Sequence, residues 1–516
     1  MVVKVIVKAN AYFDSVTLMA ISKKITERAG VFDAVVGMGT DLNKELIANV
    51  GMETPEVVKA GPNDLLIAVK AENETILAEA IQAVEEALVQ RKGAKKAAEQ
   101  VPKSLDGALN LAPESNLVVI SLPGAYAARE VKKALENNLH VMLFSDNVSL
   151  EDEIALKKLA HEKGLLMMGP DCGTAIINHV PLCFANVVRP GNIGIVAASG
   201  TGTQEVTSLI DRFGGGISQV IGTGGRDLKA EVGGIMMLDG LKALEEDPAT
   251  AVIVIISKPP APQVAEKVLA AVKNGSKPKV VFFLGGDRSA IEKAGAIAGY
   301  NLEDTARKAV ALALGKEIPT DCVCCVEDLA VVEREQAGMA PGQKYVRALY
   351  TGGTLCDEAM LVLQEDLGGI YSNIAFKPEL MLEDTSKSKK HTAIDLGDDK
   401  FTVGRPHPMI DPTLRLSRLL QEARDPETAV ILLDVVLGYG SHPDPAGILV
   451  PVIKEAKALA QAQGRYLSVV ASICGTHKDP QNFTEQEAKL KEAGVVIASS
   501  NVKAAKLAGT IVKDRQ

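Results

Sequence analysis

The sequence predicts a multidomain α/β protein, and three observations support this. Short apolar runs of strand length alternate along the chain with segments whose apolar residues recur at helical spacing. The composition agrees, because 47% of the residues are hydrophobic and 45 are glycine, whereas only 3% are aromatic. It is typical of parallel α/β layers, whose central strands are buried on both faces. A length of 516 residues is enough for three to four domains.

Charge and cysteine usage exclude several classes of protein. The net charge is −9, and acidic and basic residues are interspersed, so no basic surface predicts nucleic-acid binding. No apolar run is long enough to cross a bilayer, and lysines interrupt the first strand, unlike a signal peptide. Seven scattered cysteines fit a reducing cytoplasm. Cys322, Cys324 and Cys325 lack a second ligand group at zinc spacing, so we predict no metal site.

The elements divide into five segments. Residues 1–100 form a small N-terminal α/β unit, and a charged, alanine-rich stretch ends it. Residues 101–188 alternate strand and helix at the spacing of a doubly wound, Rossmann-like sheet. Residues 189–315 and 344–516 are two further α/β domains, and residues 316–343 are a linker that contains the cysteine group.

The Rossmann-like segment has a candidate ligand site, because ligands in such sheets bind at the carboxyl ends of strands. The residues predicted there are Ser121, Pro123, Ser145, Asp146, Gly169, Pro170, Asp171 and Cys172. No G-x-G-x-x-G fingerprint follows a first strand, which argues against NAD. Cys172 has no neighbouring histidine in the sequence, so a nucleophilic role is not favoured, and Asp171 is read as a turn former.

A turn of small residues follows the apolar run 193–197 and opens a helix that ends at three glycines. A helix that begins in this way presents free backbone N–H groups and the positive end of its dipole. Glycine lets an anion approach closely, and the neighbouring hydroxyls add donors. The predicted phosphate- or carboxylate-sized site consists of Ser199, Gly200, Thr201, Gly202 and Thr203. A turn that needs glycine only for its geometry is the alternative.

The same pattern occurs twice. Gly353 lies 153 positions after Gly200, and Glu358 lies 153 positions after Glu205. Further matches follow at offsets that grow only by insertion, which indicates a tandem duplication of an α/β domain. The second predicted donor set is Thr351, Gly352, Gly353 and Thr354. Two such turns facing each other across a domain interface would hold one anion from both sides; a duplicated scaffold without a ligand is the alternative.

Together these motifs resemble the FdrA family, a branch of the ADP-forming acyl-CoA synthetase superfamily that includes succinyl-CoA synthetase and ATP-citrate lyase. The resemblance covers nearly the whole chain and depends on motifs at residues 169–175, 198–205, 350–355, 404–412 and 434–445. It implies that residues 101–188 form a Rossmann-like domain of the CoA-binding type. It also implies that the two later domains are flavodoxin-like domains of the succinyl-CoA synthetase type.

One departure from the synthetases affects the expected chemistry. In those enzymes two opposed helix N-termini point at a phosphorylated histidine, and a glutamate pairs with it. Here the turn after residues 279–284 has no histidine, none occurs between His179 and His391, and residues 257–260 replace the glutamate. No segment is left for an ATP-grasp domain. The resemblance therefore implies a phosphate cradle that has lost the covalent relay.

A phosphate site without a relay can bind an activated acyl phosphate directly and let an acceptor attack it. The FdrA family is implicated in purine-catabolic oxamate carbamoyltransferase, which acts with separately encoded partner subunits. It interconverts carbamoyl phosphate plus oxamate with oxalurate plus phosphate. We predict that Arg405 or His407 receives the acceptor carboxylate, and that His442 polarises the carbamoyl oxygen or moves a proton. His407 lies between two prolines, so a loop-shaping role is the alternative.

Three functions remain open at this point: a carbamoyltransferase subunit, an acyl-CoA synthetase that works with a nucleotide-binding subunit, and a non-catalytic scaffold subunit. The first needs no cofactor, CoA is the candidate for the Rossmann-like domain, and ATP or ADP enters only with the second. The predicted partners are small molecules (an acyl or carbamoyl phosphate and a small carboxylate) and separately encoded subunits, with a homo-oligomer left open. The acceptor substrate is also open.

Overall fold

The computed structural model describes residues 2–515 except for positions 10, 12, 14, 27, 95–101, 321–328 and 403–404. The chain forms two compact units, residues 1–113 and residues 114–516. The predicted multidomain α/β fold is confirmed. The group Cys322, Cys324 and Cys325 lies outside the described residues. In the part of the chain that is described, no helix has the length and apolar character needed to cross a bilayer.

The first unit is a three-stranded antiparallel sheet with helices on both faces. Its elements are β1 (Val2–Lys8), α1 (Ser15–Thr26), β2 (Val31–Met38), α2 (Asp41–Asn49), α3 (Pro55–Lys59), β3 (Leu65–Ala71), α4 (Glu74–Ala94) and α5 (Leu105–Leu111). The strand order is β1-β3-β2. Leu65 and Ile67 pack with α1 and α4, whereas Leu66 and Ala68 pack with α2 and α3. The pairing differs from the parallel layers that composition predicts, because β1 and β2 both pair with the later strand β3.

The second unit begins with the Rossmann-like segment. Its elements are β4 (Leu117–Ile120), α6 (Gly124–Glu136), β5 (His140–Leu143), α7 (Leu150–Glu162), β6 (Met167–Met168), β7 (Thr174–Ile177) and β8 (Val180–Cys183). Only β4, β5 and β6 form the parallel sheet. The hairpin β7–β8 joins the sheet of the following domain, where Ile176 pairs with Val220. The Rossmann-like sheet therefore ends before the predicted boundary at residue 188.

The next domain contains the first small-residue turn. Its elements are β9 (Pro190–Ala198), α8 (Gly200–Arg212), β10 (Ile217–Gly222), α9 (Ile235–Glu246), β11 (Val252–Ser257), α10 (Pro262–Asn274), β12 (Lys279–Phe283), α11 (Arg288–Lys293), β13 (Ile297–Ala298) and α12 (Leu302–Ala313). The sheet order is β13-β12-β11-β9-β10-β7-β8. Its five parallel strands have the flavodoxin-like order 2-1-3-4-5, which brings the ends of β9, β10 and β11 together.

The last domain repeats this arrangement. Its elements are α13 (Leu329–Ala337), β14 (Tyr345–Tyr350), α14 (Gly353–Leu367), β15 (Tyr371–Ser372), β16 (Thr392–Asp395), α15 (Asp399–Thr402), α16 (Thr413–Arg424), β17 (Thr428–Val436), α17 (Pro445–Ala462), β18 (Ser468–Cys474), α18 (Phe483–Glu492), β19 (Val496–Ala498) and α19 (Asn501–Val512). The strand order β15-β16-β14-β17-β18-β19 is that of the preceding domain with β15 added at the edge.

Part of the predicted linker is helical and packs on the last domain. The helix α13 lies within residues 316–343, and its Val332 is 6% exposed. The hydroxyl of Tyr466 donates to Glu335 Oε2 at 2.9 Å, and Gln336 Nε2 donates to the carbonyl oxygen of Ile511 at 3.0 Å. The helix was not predicted, because the residues on which it packs lie more than 100 positions later in the chain.

The two duplicated domains share one hydrophobic core. It runs from α8 and α12 of the first copy into α14 and α19 of the second, and it includes Val206, Leu302, Leu355 and Val502. Each of these side chains is at most 1% exposed. Burial of this kind is the main favourable term in holding domains together, so the two copies form one packed body.

Two equivalent glutamates exchange hydrogen bonds between the copies. Glu205 on α8 accepts a hydrogen bond from the backbone N–H of Asn501 at 3.1 Å. Glu358 on α14 accepts one from the backbone N–H of Leu302 at 2.8 Å. Asn501 and Leu302 are the first residues of α19 and α12. Each carboxyl group therefore satisfies an N–H that has no partner within its own helix.

Both glutamates are buried, at 1% exposure for Glu205 and 3% for Glu358. Burial raises the pKa of Glu358 from 4.5 to about 7, although the Leu302 amide and the Asn501 side chain oppose the shift. Burial also raises the pKa of Glu205. Between pH 4.5 and 7 the folded chain therefore keeps a proton on Glu358 that the unfolded chain releases. The fold consequently loses stability as the pH rises through this range.

We expect Glu358→Gln to reduce this pH dependence, because the neutral amide has no proton to release. The difference between pH 5 and pH 7 is on the order of 2 kcal/mol for a shift of this size. Urea unfolding midpoints at pH 5, 6, 7 and 8 measure it, and Glu365→Gln, at an exposed position on the same helix, is the control. An equal loss of stability between pH 5 and 7 in Glu358→Gln and in the wild type would contradict the assignment.

Candidate functional site

The two predicted turns lie at the start of α8 and α14. Ser199 is the N-cap of α8, and Gly352 is the N-cap of α14. Neither N-cap makes a side-chain hydrogen bond to its own helix. Serine commonly makes such a bond, and glycine has no side chain to make it. Both helices therefore present first-turn N–H groups without a side-chain cap.

The two turns are in direct contact. Ser199 Oγ donates to Thr354 Oγ1 at 2.8 Å, and both residues are buried. A Cβ atom on Gly352 would lie 2.8 Å from Thr201 Oγ1, and one on Gly202 would lie 2.8 Å from Thr354 Cγ2. Glycine at positions 202 and 352 therefore allows the approach. The hydroxyl groups close the space directly between the turns, so an anion has to lie on their exposed side.

The exposed side is formed by glycine. Gly200 is exposed, and a Cβ atom built on it would meet no atom within 4 Å. Gly353 is partly exposed. The hydroxyl of Thr203 points away from this side, because it donates to the backbone carbonyl oxygen of Ser199. The accessible donors of the first turn are thus its backbone N–H groups rather than its hydroxyls.

Asp434, at 0% exposure, takes several donors of the second turn. It accepts hydrogen bonds from the backbone N–H of Thr351 at 2.9 Å, the Thr351 hydroxyl at 3.0 Å and the backbone N–H of Gly352 at 2.9 Å. Arg415 Nη1 pairs with the same carboxylate at 2.7 Å. The sequence predicts that these N–H and hydroxyl groups bind an anion, but in the structure they donate to Asp434 instead. The second turn keeps only the N–H groups from Gly353 onward.

A cation from the first copy meets carboxylates of the second copy at this point. Lys258 follows β11, and its Nζ lies 2.9 Å from Oδ2 of Asp357, the fifth residue of α14. A Cβ atom on Gly353 would lie 3.4 Å from Lys258 Nζ and 2.6 Å from Asp395 Oδ2. The Lys258 side chain is 39% exposed, so a ligand can reach it. Partial desolvation opposes the charge on Lys258, but Asp357 and then Asp395 raise its pKa on balance.

Asp395 and Asp357 are not among the residues that the sequence predicts for the site. Asp395 is the last residue of β16, and burial raises its pKa from 3.8 to about 7 while Lys258 opposes the shift. Burial also raises the pKa of Asp357, again against Lys258. A usable signal was present, because Asp395 ends a strand of the duplicated sheet and Asp357 follows Thr354 by three positions on one helix face.

The histidine and arginine candidates lie in loops around the second turn. His407 Nδ1 accepts a hydrogen bond from the Met409 backbone N–H at 3.2 Å, which puts the ring proton on Nε2. A Cβ atom on Gly397 would lie 2.7 Å from His407 Nε2 and 3.2 Å from Asp395 Oδ1. His407 therefore lies at the edge of the site, close to Asp395. Burial lowers its pKa to about 4, so the ring is neutral at pH 7 and cannot supply the predicted positive charge.

The next two candidates, Arg405 and His442, contact other loop residues. The side chain of Arg405 is exposed, and its backbone N–H donates to Thr402. The backbone N–H of His442 donates to the carbonyl oxygen of Met409 at 2.7 Å, and its Nδ1 accepts from the Asp444 N–H at 3.1 Å. These contacts place the loop that follows β17 beside the His407 loop. His442 therefore helps to hold these loops in place through both its backbone N–H and its ring.

The strand ends of the Rossmann-like segment pack against the loop after β10. A Cβ atom on Gly224 would lie 2.2 Å from the carbonyl oxygen of Pro170, and one on Gly222 would lie 2.5 Å from Cys172 Sγ. Burial raises the pKa of Cys172 to about 12, which excludes a reactive thiolate at neutral pH. Of the predicted set, Ser145, Gly169, Pro170 and Cys172 are buried, Asp146 is partly exposed, and Ser121, Pro123 and Asp171 are exposed.

Asp171 connects the two predicted sites. Its carboxylate interacts electrostatically with Asp146, Asp399, Lys258 and Arg226. Three carboxylates are thus collected where the resemblance predicts CoA, and the diphosphate of CoA is anionic. Carboxylates thus outnumber the two cations Lys258 and Arg226 here, which is unfavourable for an anionic diphosphate.

Family models match three parts of the chain. A CoA-ligase model matches residues 349–511, and a CoA-binding domain model matches residues 188–285. The model described as AllF, heavy metal-associated domain, matches residues 1–103. The CoA-binding match covers the domain of the first turn rather than the Rossmann-like segment that the resemblance assigned to CoA. The segment 1–103 contains no cysteine and no histidine, so it lacks the usual ligands of a heavy metal.

Several known proteins are similar to the chain. The uncharacterized protein YahF of Escherichia coli is 51% identical over 512 residues, or 98% of each chain. The ADP-forming succinate–CoA ligase subunit alpha 2 of Archaeoglobus fulgidus is 28% identical over 149 residues, which are 28% of this chain and only 50% of that relative. The apo dinucleotide-forming acetyl-coenzyme A synthetase 1 of Ca. Korarchaeum cryptofilum is 16% identical, with a TM-score of 0.33 over 77% of this chain and 82% of that one.

The contact between the turns leaves no room for a side chain at position 352. We expect Gly352→Ala to destabilise the fold by about 1–3 kcal/mol, because the added methyl group would overlap Thr201 in a closely packed region. Gly200→Ala is the matched control, because its methyl group would meet no atom within 4 Å. Chemical unfolding of both variants measures the difference. Equal stability of the two variants would show that the turns are farther apart than described.

Proposed function

Because this chain belongs to the family of YahF, in the succinyl-CoA synthetase superfamily, we propose that it is an FdrA-type subunit of a carbamoyltransferase. The proposed reaction interconverts carbamoyl phosphate plus oxamate with oxalurate plus phosphate, in purine catabolism and together with separately encoded partner subunits. Within the superfamily, the reaction most similar to this transfer is acid–thiol ligation, which also passes through an acyl phosphate.

One observation carries this proposal: two uncapped helix N-termini touch each other beside the ammonium group of Lys258. Helix N-termini attract anions through their N–H groups and their dipoles. Lys258 adds a full positive charge at a position where the synthetases have a glutamate. This exchange of charge suits a phosphate ligand better than a phosphohistidine, whose imidazole needs a carboxylate to orient it.

The proposed binding mode follows the accessible groups. The phosphate lies on the exposed side of the turns, against the N–H groups around Gly200 and Gly353 and the ammonium of Lys258. The carbamoyl carbonyl points towards His407 Nε2, which has no hydrogen-bond partner among the described residues. A neutral imidazole can donate this bond and stabilise the oxygen as negative charge develops on it.

The same hydrogen bond argues against His407 as a covalent phosphate carrier. Phosphorylation at Nε2 needs a lone pair there, but the Met409 N–H donates to Nδ1 and leaves the proton on Nε2. Direct transfer from carbamoyl phosphate avoids this difficulty, because it needs no nucleophilic side chain. Arg405 stays our candidate for the acceptor carboxylate, since its guanidinium is exposed and always charged. His442 stays a candidate for proton transfer.

Acid–thiol ligation is the second candidate, and the CoA-ligase and CoA-binding family matches favour it. In that case a separate nucleotide-binding subunit supplies what this chain lacks, and CoA and ATP are substrates. A non-catalytic scaffold subunit is the third reading. The ligands that stabilise the protein distinguish the three.

We expect carbamoyl phosphate and inorganic phosphate to raise the melting temperature of the full chain, whereas CoA with ATP leaves it unchanged. A ligand that binds only the folded state stabilises it by mass action, so millimolar ligand is sufficient for a micromolar to millimolar site. Differential scanning fluorimetry with each ligand measures the shift. Stabilisation by CoA with ATP would favour the ligase, and no response to any ligand would favour the scaffold subunit.

We expect Lys258→Met to weaken phosphate and carbamoyl phosphate binding by about 10- to 100-fold, because one charge-assisted hydrogen bond is lost. Isothermal titration calorimetry of the full-length variant measures this change. Lys273→Met is the matched control, since Lys273 is an exposed residue in the last turn of α10 and lies outside the proposed site. An unchanged affinity in Lys258→Met would remove Lys258 from the phosphate site.

A further inference from the structure

The Asp395 carboxylate is poised beside the second turn without a partner for one of its oxygens. We propose that Asp395 is the catalytic base of the transfer, which accepts a proton from the attacking nitrogen and delivers it to the departing phosphate. This inference rests on the proposed function, and it assigns the proton transfer to a residue of β16 rather than to His442.

The position of Asp395 Oδ2 is defined by the second turn. It lies 2.6 Å from the point that a Cβ atom of Gly353 would occupy, and Lys258 Nζ lies 3.4 Å from the same point. The oxygen therefore borders the place where the N-terminus of α14 and the ammonium group would hold phosphate. A base here is next to both the reacting carbon and the leaving group.

The orientation of Asp395 is fixed by its neighbours. Its Oδ1 accepts a hydrogen bond from the Gly397 N–H at 2.9 Å. Its backbone N–H and carbonyl oxygen both bond to the side chain of Asn373, each at 3.0 Å. The residue is only 6% exposed. Among the described residues no group donates a hydrogen bond to Oδ2, so this oxygen is held in place with its lone pairs free.

The other carboxylates at the site are engaged. Asp357 forms an ion pair with Lys258 at 2.9 Å. Asp434 accepts hydrogen bonds from the second turn and pairs with Arg415 at 2.7 Å. Proton acceptance by either group would break contacts that shape the site. Asp395 can change its protonation state without losing a hydrogen bond to Oδ2.

The step balances in atoms and charge. The amide nitrogen of the acceptor attacks the carbamoyl carbon, a new N–C bond forms, and the C–O bond to phosphate breaks. The N–H proton passes to Asp395 Oδ2 and then to the phosphate oxygen that received the electron pair of the broken bond. Asp395 ends as the carboxylate and begins the next cycle. No oxidant, reductant or metal is consumed.

The environment of Asp395 suits this task. Burial raises its pKa to about 7, and Lys258 keeps the shift from being larger. A base with a pKa near the working pH is both partly ionised and strong enough to accept a proton. The rate of carbamoyl transfer to the acceptor should therefore rise with pH through about 7, because the carboxylate is the active form.

The test compares Asp395→Asn with Asp399→Asn in the full chain together with the subunits that co-purify with it. Asn keeps the size of the side chain and the bond from Gly397 but cannot take a proton. Asp399 is exposed on α15 and has the same charge, so its substitution controls for charge alone. We expect kcat to fall about 10²- to 10³-fold in Asp395→Asn, without a rise near pH 7, whereas carbamoyl phosphate should bind at least as tightly as in the wild type, because a negative charge beside the phosphate is removed. Asp399→Asn should keep both the rate and the pH profile.

Sulfate binding gives a readout that does not need turnover. Sulfate does not titrate near neutral pH, so proton uptake on its binding reports on the protein. Calorimetry in buffers of different ionisation enthalpy should show proton uptake near pH 7 in the wild type and Asp399→Asn, because an anion beside Asp395 favours its protonated form. Asp395→Asn should show none.

The outcomes separate the inference from the function on which it rests. A wild-type complex that binds neither phosphate nor carbamoyl phosphate, or that forms no oxalurate, overturns both. An active wild type with an equally active Asp395→Asn overturns only the assignment of the base. Proton uptake retained in Asp395→Asn also overturns only that assignment, because another group then titrates beside the anion.

Discussion

The exchange of hydrogen bonds between Glu205 and Glu358 holds the duplicated half of the chain in its geometry. Each glutamate lies on the helix that begins with a small-residue turn, and each binds the first N–H of the last helix in the other copy. The interaction is buried, so a lost partner would leave an uncompensated polar group in the core. Because the turns and the glutamates share α8 and α14, the exchange also sets the distance between the turns.

The two copies have become unequal within this symmetric frame. The second turn is tied down by Asp434, whereas the first turn exposes Gly200. The first copy supplies the cation, Lys258, and the second copy supplies the carboxylates Asp357 and Asp395. A symmetric pair of turns thereby becomes a site with a cationic side and a carboxylate side, for which we propose phosphate binding and proton acceptance. Duplication provided the scaffold, and side-chain divergence provided the chemistry.

Sequence patterns predicted much of the fold and only part of the site. The apolar runs predicted most strands of both duplicated sheets but not β13, β15 or β16, and the offset of 153 positions predicted the equivalence of Gly200 with Gly353. The hairpin β7–β8 was not predicted. It falls within the predicted segment 101–188 but pairs with β10 of the following domain, because local pattern does not tell a strand which partner it will have. Asp395 was overlooked, because a single aspartate at a strand end resembles an ordinary turn residue.

By itself the sequence determined most of the longer elements, the places where only small residues permit a turn, and the lack of histidine between positions 179 and 391. These are local properties, and they follow from side-chain periodicity and backbone sterics. Only the tertiary structure decided which donors remain available. Asp434 takes the N–H groups of Thr351 and Gly352 from more than 80 positions away, and Met409 sets the proton of His407 on Nε2. Hydrogen bonds of this kind depend on how the elements pack, and packing leaves no repeating pattern in the chain.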